Sequence, residues 1–217
     1  MKKSLLLLLI PLMLSLGACN TRKESDIPDT PDTPSWGETS TKEIVFKGDK
    51  TRSGLTGGSQ LGDPSFDTAL TNLINTQTEN SLTALGGQKC GTQLVGGDSG
   101  TDTSLTIGTG SSEGLIYFTF DLEIVKIEAT VQNYYKPYPG GMSLDTEAEV
   151  VMCSYSPVDG VKESKEVNLA TEDAVSIPTE RNETLAFKES TNTIAFKNNA
   201  VKHRTYIHSL TITYLVE

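Results

Sequence analysis

The sequence predicts an all-β domain, a two-sheet sandwich or jelly roll of about eight to ten strands with one short helix. Three observations carry that prediction. Short segments rich in Val, Ile, Thr, Phe and Tyr recur from residue 43 to the C-terminus. Gly, Pro and Asn stand between them, the residues that turn a chain between strands. Only one stretch has the apolar spacing of a helix.

The chain opens with a positive Met1-Lys2-Lys3, then is apolar from Leu5 to Leu16 except for Pro11 and Ser15. Twelve helical residues span about 18 Å, short of a bilayer core of about 30 Å, so this is a secretory signal and not a membrane span. It ends in Leu16-Gly17-Ala18-Cys19. A branched apolar residue, two small residues and a cysteine in that order resemble the lipobox of bacterial lipoproteins. The resemblance implies cleavage before Cys19, removal of residues 1–18, and a diacylglycerol on the Cys19 thiol. Each buried methylene adds about 0.8 kcal/mol, so a diacyl group holds where a single chain holds only marginally. Loss of Lys2 and Lys3 leaves 16 basic against 28 acidic residues, a net charge of −12. Anionic headgroups repel such a body, which is expected to stand off the membrane.

Residues 19–42 read as the lipidated cysteine followed by an extended linker. Pro28, Pro31 and Pro34 recur every three residues, the period of polyproline II. At about 3.1 Å per residue, Asn20 to Thr41 reaches nearly 70 Å if fully extended, as a stalk or as a disordered tether. Trp36, the single tryptophan, has no assignment from sequence. Asn20 stands where enterobacterial inner-membrane lipoproteins carry aspartate, so that retention signal is lacking.

Residues 43–217 form the predicted domain. Glu43-Ile-Val-Phe-Lys47 is a first strand. Asp63 is placed to cap a helix, Pro64 suits its first position, and Phe66, Leu70, Leu73 and Ile74 share a face. Residues 104–108 and 114–120 read as two strands of a hairpin around Thr109-Gly-Ser-Ser-Glu113. From 124 to 135, Val125, Ile127, Ala129 and Val131 alternate with Lys126, Glu128, Thr130 and Gln132, the pattern of a half-buried strand. Residues 147–155 are apolar on both faces, as in a central strand. The echo of Leu185-Ala-Phe-Lys188 in Ile194-Ala-Phe-Lys197 predicts two paired strands. Residues 206–216 close the domain.

The strands at 104–135 and the closing Arg204, Tyr206, Ile207, Leu210, Ile212 and Tyr214 resemble a jelly-roll, galactose-binding-like domain of secreted bacterial proteins. The resemblance spans roughly 100–217. Members of that fold often bind carbohydrate and some are purely architectural; no ligand motif matches residue by residue. The resemblance implies that Ile207, Leu210 and Ile212 face inward. That requires a β-bulge near His208 and Ser209, with His208 outside.

Candidate chemistry is sparse. The formal charge of −10 and the lack of a basic run exclude nucleic acid as a partner. His203 and His208 are the only histidines and have no cysteine or carboxylate at zinc-ligand spacing nearby. There is no G-x-S-x-G elbow or S-x-x-K stretch for a nucleophile. Asp98 and Asp102, in a Gly-rich turn, are the one cation candidate, for calcium; no other cofactor is expected. Cys90 and Cys153 can pair in an oxidising compartment, although Cys153 sits in an apolar strand. Asn133-Tyr-Tyr-Lys-Pro-Tyr-Pro-Gly-Gly141 places three tyrosines in a loop at one end of the sandwich. Tyr135 continues the core face. Tyr134 and Tyr138 are the ligand candidates, because tyrosine rings stack on the C–H faces of sugars; the alternative is that all three close the sandwich end.

The expectation is a lipoprotein exported across the cytoplasmic membrane and held at the cell envelope or outer surface by acylated Cys19. It is a non-catalytic module that binds a glycan or acts as an adhesin. The alternatives are a structural or protein-partner subunit of an envelope assembly and, behind it, a glycan hydrolase with carboxylates the sequence does not reveal.

Overall fold

A computed structural model describes residues 34–49, 55, 57–139, 141–145, 147–170 and 176–216. Cys19, the signal peptide and most of the linker lie outside the described residues. Among the described residues no helix is long and apolar enough to cross a membrane.

Two long strands organise the domain. β6, Leu115–Asn133, and β11, Arg181–Lys197, run antiparallel to each other, and each belongs to both layers of a jelly-roll-like β-sandwich. The first half of β6, through Phe120, pairs with β3 (Leu82–Gln88) and with residues 193–197 of β11. That end of β11 pairs with β9 (Glu149–Ser156), and β9 pairs with the edge strand β10 (Gly160–Asn168). The second half of β6, from Ile124, pairs with residues 181–186 of β11 and with β12 (Thr205–Leu215). Beyond β12 lie β1 (Thr39–Val45) and β5 (Asp102–Ile107), and β5 carries β2 (Gly48–Asp49) and β4 (Cys90–Leu94). A separate hairpin, β7 (Tyr135–Tyr138) and β8 (Gly141–Leu144), follows β6.

One apolar cluster fills the space between the layers. It includes Ile116, Phe118 and Phe120 from the first half of β6 and Ile127, Ala129 and Val131 from the second. β9 adds Val150 and Met152, and β12 adds Ile207, Leu210 and Ile212. On β6 and β9 these positions alternate because successive side chains point to opposite faces, and on β12 a register slip after Ile207 lengthens one step.

The helix α1, Pro64–Thr78, forms where the sequence places it. The Asp63 carboxylate accepts from Ser65 N at 2.9 Å, and Pro64 occupies the first turn, where its missing N–H costs nothing. Phe66, Leu70 and Ile74 are buried at four-residue spacing and join the core, with Leu73 packed beside them. Glu79 and Asn80 then turn left-handed, and Asn80 N donates to Asn75 O to end the helix. Near that end Gln77 Oε1 accepts from Val45 N at 2.9 Å, covering one edge group of β1.

Several sequence expectations need correction. The domain starts at Thr39, inside the segment read as linker, because Thr39 to Lys42 pair with Leu215 to Ile212. The segments ending in Phe187 and Phe196 are successive halves of β11 and not partners of one another. Residues 104–108 and 114–120 do not form a hairpin, since β5 pairs with β4, β12 and β2 while β6 pairs with β3, β11 and β12. The bulge in β12 exists, as the register slips between Ile207 and Ser209 and keeps Ile207 in the core. His208 does turn away from that core, yet it is only 3 % exposed, because Gln132, Pro178 and Glu180 close over it.

Candidate functional site

The tyrosines that the sequence singles out are folded back on the protein. Tyr134 and Tyr135, at 7 % and 8 % exposure, form a small outer core with Tyr206, joined by Val95, Met142 and Leu144. The Tyr134 ring centroid lies 5.4 Å from that of Tyr206, and the Arg204 guanidinium carbon stands 3.7 Å over the Tyr134 ring. Arg204 is itself held by Asp145 through Nε at 2.9 Å and Nη2 at 3.1 Å. Burial raises the Tyr206 hydroxyl's pKa well above its ordinary value, and that hydroxyl donates to Leu94 O at 3.0 Å. A ring 7 % exposed beneath a guanidinium offers little surface to a sugar, so Tyr134 is placed as a packing residue. Tyr138, 55 % exposed at the β7–β8 tip, stands apart from the trio and stays open to solvent.

The other sequence candidates also disperse. Asp98 pairs with Lys136 Nζ at 2.8 Å, and Asp102 lines a recess of about 850 Å³ beside α1 with no aromatic residue in its described lining. Among the described residues no group of three or more His, Cys, Asp or Glu could hold a metal ion. Cys90 and Cys153 are free, buried thiols and not a disulfide. Cys90 belongs to the central core and Cys153 to the outward face of β9, so the two sit in different clusters. Burial pushes their thiols up to about 12 and about 11.

Ser104, His208 and Glu180 come together without forming a nucleophile. Ser104 is fully buried and its hydroxyl donates to Ile207 O at 2.7 Å, with His208 Nδ1 at 2.9 Å. His208 Nε2 faces Gln132 Oε1 at 2.9 Å and Glu180 Oε1 at 3.8 Å. The Glu180 carboxyl is held below its usual range by the hydrogen bond from Lys47. Burial, with the nearby Lys47 charge, lowers the imidazole pKa from 6.5 to about 4. A closed serine with a committed proton cannot reach a substrate.

The open site lies on the outward face of the other layer. Tyr117 on β6 and Tyr155 on β9 are half-buried, with ring centroids 5.4 Å apart and planes 28° from parallel. They rest on a strip of Val151, Cys153 and Ala195. Gly86 on β3 lies opposite Tyr117, and a Cβ there would stand 2.3 Å from the Tyr117 hydroxyl. A glycine is needed for the ring to lie across the strand. Neither tyrosine hydroxyl has a hydrogen-bond partner among the described residues, so both remain available.

Beside Tyr155 opens a groove of about 590 Å³. The fold creates it where both long strands pass from one layer to the other. The β6–β11 register breaks between Ala186 and Thr191 and again between Thr191 and Thr193. There the side chains of Asp121, Glu123, Ser190, Asn192 and Thr193 line the groove, and Lys162 enters from β10. Glu163 holds the bend open by accepting from Lys188 N at 3.0 Å and Glu189 N at 3.3 Å. Thr193 Oγ1 donates to Asn192 Oδ1 at 3.0 Å, which orients that amide with its nitrogen free. Asp121 and Lys162 make no side-chain hydrogen bond or ion pair among the described residues. The groove thus presents carboxylate acceptors, amine and amide donors, and one aromatic wall.

No family profile matches the chain, and no curated protein matches it. Among solved structures it is similar to a family 29 carbohydrate-binding module, with 12 % identity, 81 % of this chain and 92 % of that chain covered, and a TM-score of 0.44. A family 29 carbohydrate-binding module from Piromyces equi is similar at 10 % identity, with 82 % and 93 % covered and a TM-score of 0.43. The cleaved adhesin domain of Lys-gingipain is similar at 10 % identity, with 57 % and 82 % covered and a TM-score of 0.40.

Proposed function

We propose that this protein is a non-catalytic glycan-binding module, carried at the cell envelope on a diacylated Cys19. One observation carries the binding role: half-buried Tyr155, stacked beside Tyr117 and with its hydroxyl unpartnered among the described residues, walls a groove of polar side chains. Sugar rings have apolar C–H faces that stack on aromatic surfaces and a rim of hydroxyls that both donate and accept. A groove with one aromatic wall and convergent polar groups matches both needs. The anchor reading rests on the order of positive start, apolar run and Leu16-Gly17-Ala18-Cys19.

The test is a glycan screen of the full-length chain beside Tyr155→Ala. Binding that Tyr155→Ala removes from a folded protein supports the site. Binding that survives the substitution places the ligand elsewhere, and no binding to any glycan defeats the reading. For the anchor, incorporation of a clickable fatty acid into the wild type and not into Cys19→Ser is the expected result.

A further inference from the structure

We infer that the Tyr155 groove selects neutral glycan chains and rejects those bearing carboxylate or sulfate; this rests on the glycan-binding reading. The inference comes from which charges face the groove and what each can do there. β6 contributes two carboxylates, Asp121 and Glu123, and β10 contributes one ammonium, Lys162. The rest of the described wall carries no charge: Phe120 and Leu122 from β6, Tyr155 and Ser156 from β9 with Pro157 just after it, and residues 190–193 of β11. The groove is therefore net negative, on a chain whose formal charge is −10.

An ionised carboxylate accepts hydrogen bonds and donates none. Asp121 and Glu123 can therefore accept hydrogen bonds only from donors, and sugar hydroxyls are donors in adjacent pairs. Glu123 already accepts from Ser190 Oγ at 3.4 Å, a long bond that a closer hydroxyl can replace. The free donors, Lys162 Nζ and the Asn192 amide, suit ring and glycosidic oxygens. A uronate or sulfate brought among these groups meets two like charges for one opposite charge. In a partly desolvated groove that imbalance corresponds to a preference for the neutral chain of about tenfold or more.

The experiment is affinity electrophoresis of the full-length chain in gels holding hydroxyethyl cellulose, galactomannan or soluble starch, against gels holding carboxymethyl cellulose, polygalacturonate or heparin. Expected is retardation by at least one neutral polymer and about tenfold less by the anionic ones, a gap that narrows as salt rises. An Asp121→Asn, Glu123→Gln variant should bind the neutral polymer more weakly and lose most of the discrimination. Retardation by the anionic polymers alone overturns the inference while leaving a glycan-binding protein. A neutral preference that the variant keeps undiminished also overturns it, since other groups then set it. Retardation by none of the polymers removes the glycan reading itself, and the inference with it.

Discussion

Two tyrosine clusters sit on the outward faces of the two layers, and they differ in what covers them. Tyr134 and Tyr206 pack with Tyr135, Met142 and Leu144 of the β7–β8 hairpin, with Arg204 on one ring and a backbone carbonyl on the Tyr206 hydroxyl. Tyr117 and Tyr155 lie on a sheet whose next strand outward is the edge strand β10, and among the described residues nothing caps their hydroxyls. The first cluster spends its aromatic surface on cohesion. The second keeps part of it for something else. Local composition does not separate the two, because the tyrosine-rich loop is the closed one.

The largest effect is expected from Asp145→Ala. Arg204 would lose both its partners on that carboxylate and remain stacked on Tyr134, at a cost of about 3–5 kcal/mol in a urea unfolding curve. A loss under about 1 kcal/mol would mean the trio contributes little cohesion. Tyr134→Ala should cost about 3 kcal/mol and leave glycan affinity intact in whatever fraction folds. His208 sharpens the contrast, since its ring stacks on Tyr206 at 5.8 Å. Its pKa is about 4 in the folded protein against 6.5 ordinarily, so on acidification the unfolded chain takes up this proton first. The stability it supports is present above pH 6.5 and is lost as pH falls toward 4. The loss is on the order of 3 kcal/mol over that window, and a His208→Asn variant should lack this part of the slope. Tyr155→Ala should do the reverse of Tyr134→Ala, with affinity falling about tenfold by calorimetry and the melting temperature moving only a few degrees. Smallest is Gly86→Ala, which must lift the Tyr117 ring and should weaken binding several-fold with little change in unfolding.

The strands were legible where one face is buried and the other wet. The alternation of Val125 through Val131 and the two-sided burial of Val150 to Ser154 are both found. The helix was legible because its cap, its proline and its apolar face agree. The continuity of β6 through Asp121, Leu122 and Glu123 was not, because two charges in three residues read as a turn when the partner strand is unknown. For the same reason the groove was hidden: Asp121, Asn192 and Lys162 meet through pairings between distant segments. β3 and β4 escaped notice because glycine and glutamine dilute their alternation. A weak signal for the tyrosine pair did exist, in Tyr117 and Tyr155 at the outward positions of otherwise apolar strands. The burial of His208 could not be read, since the segment that covers it approaches from residues 178–180.

The β1–β12 ladder has a mechanical meaning. If Cys19 is the tether and the Tyr155 groove the grip, a pull between them enters the folded chain at Thr39. The rungs it loads first are the seven paired positions from Thr39 opposite Leu215 to Val45 opposite Ser209, which hand it through β12 into β6. That ladder is a clasp in series with the ligand. On that reading, whichever of the two yields first under load sets how long the grip lasts.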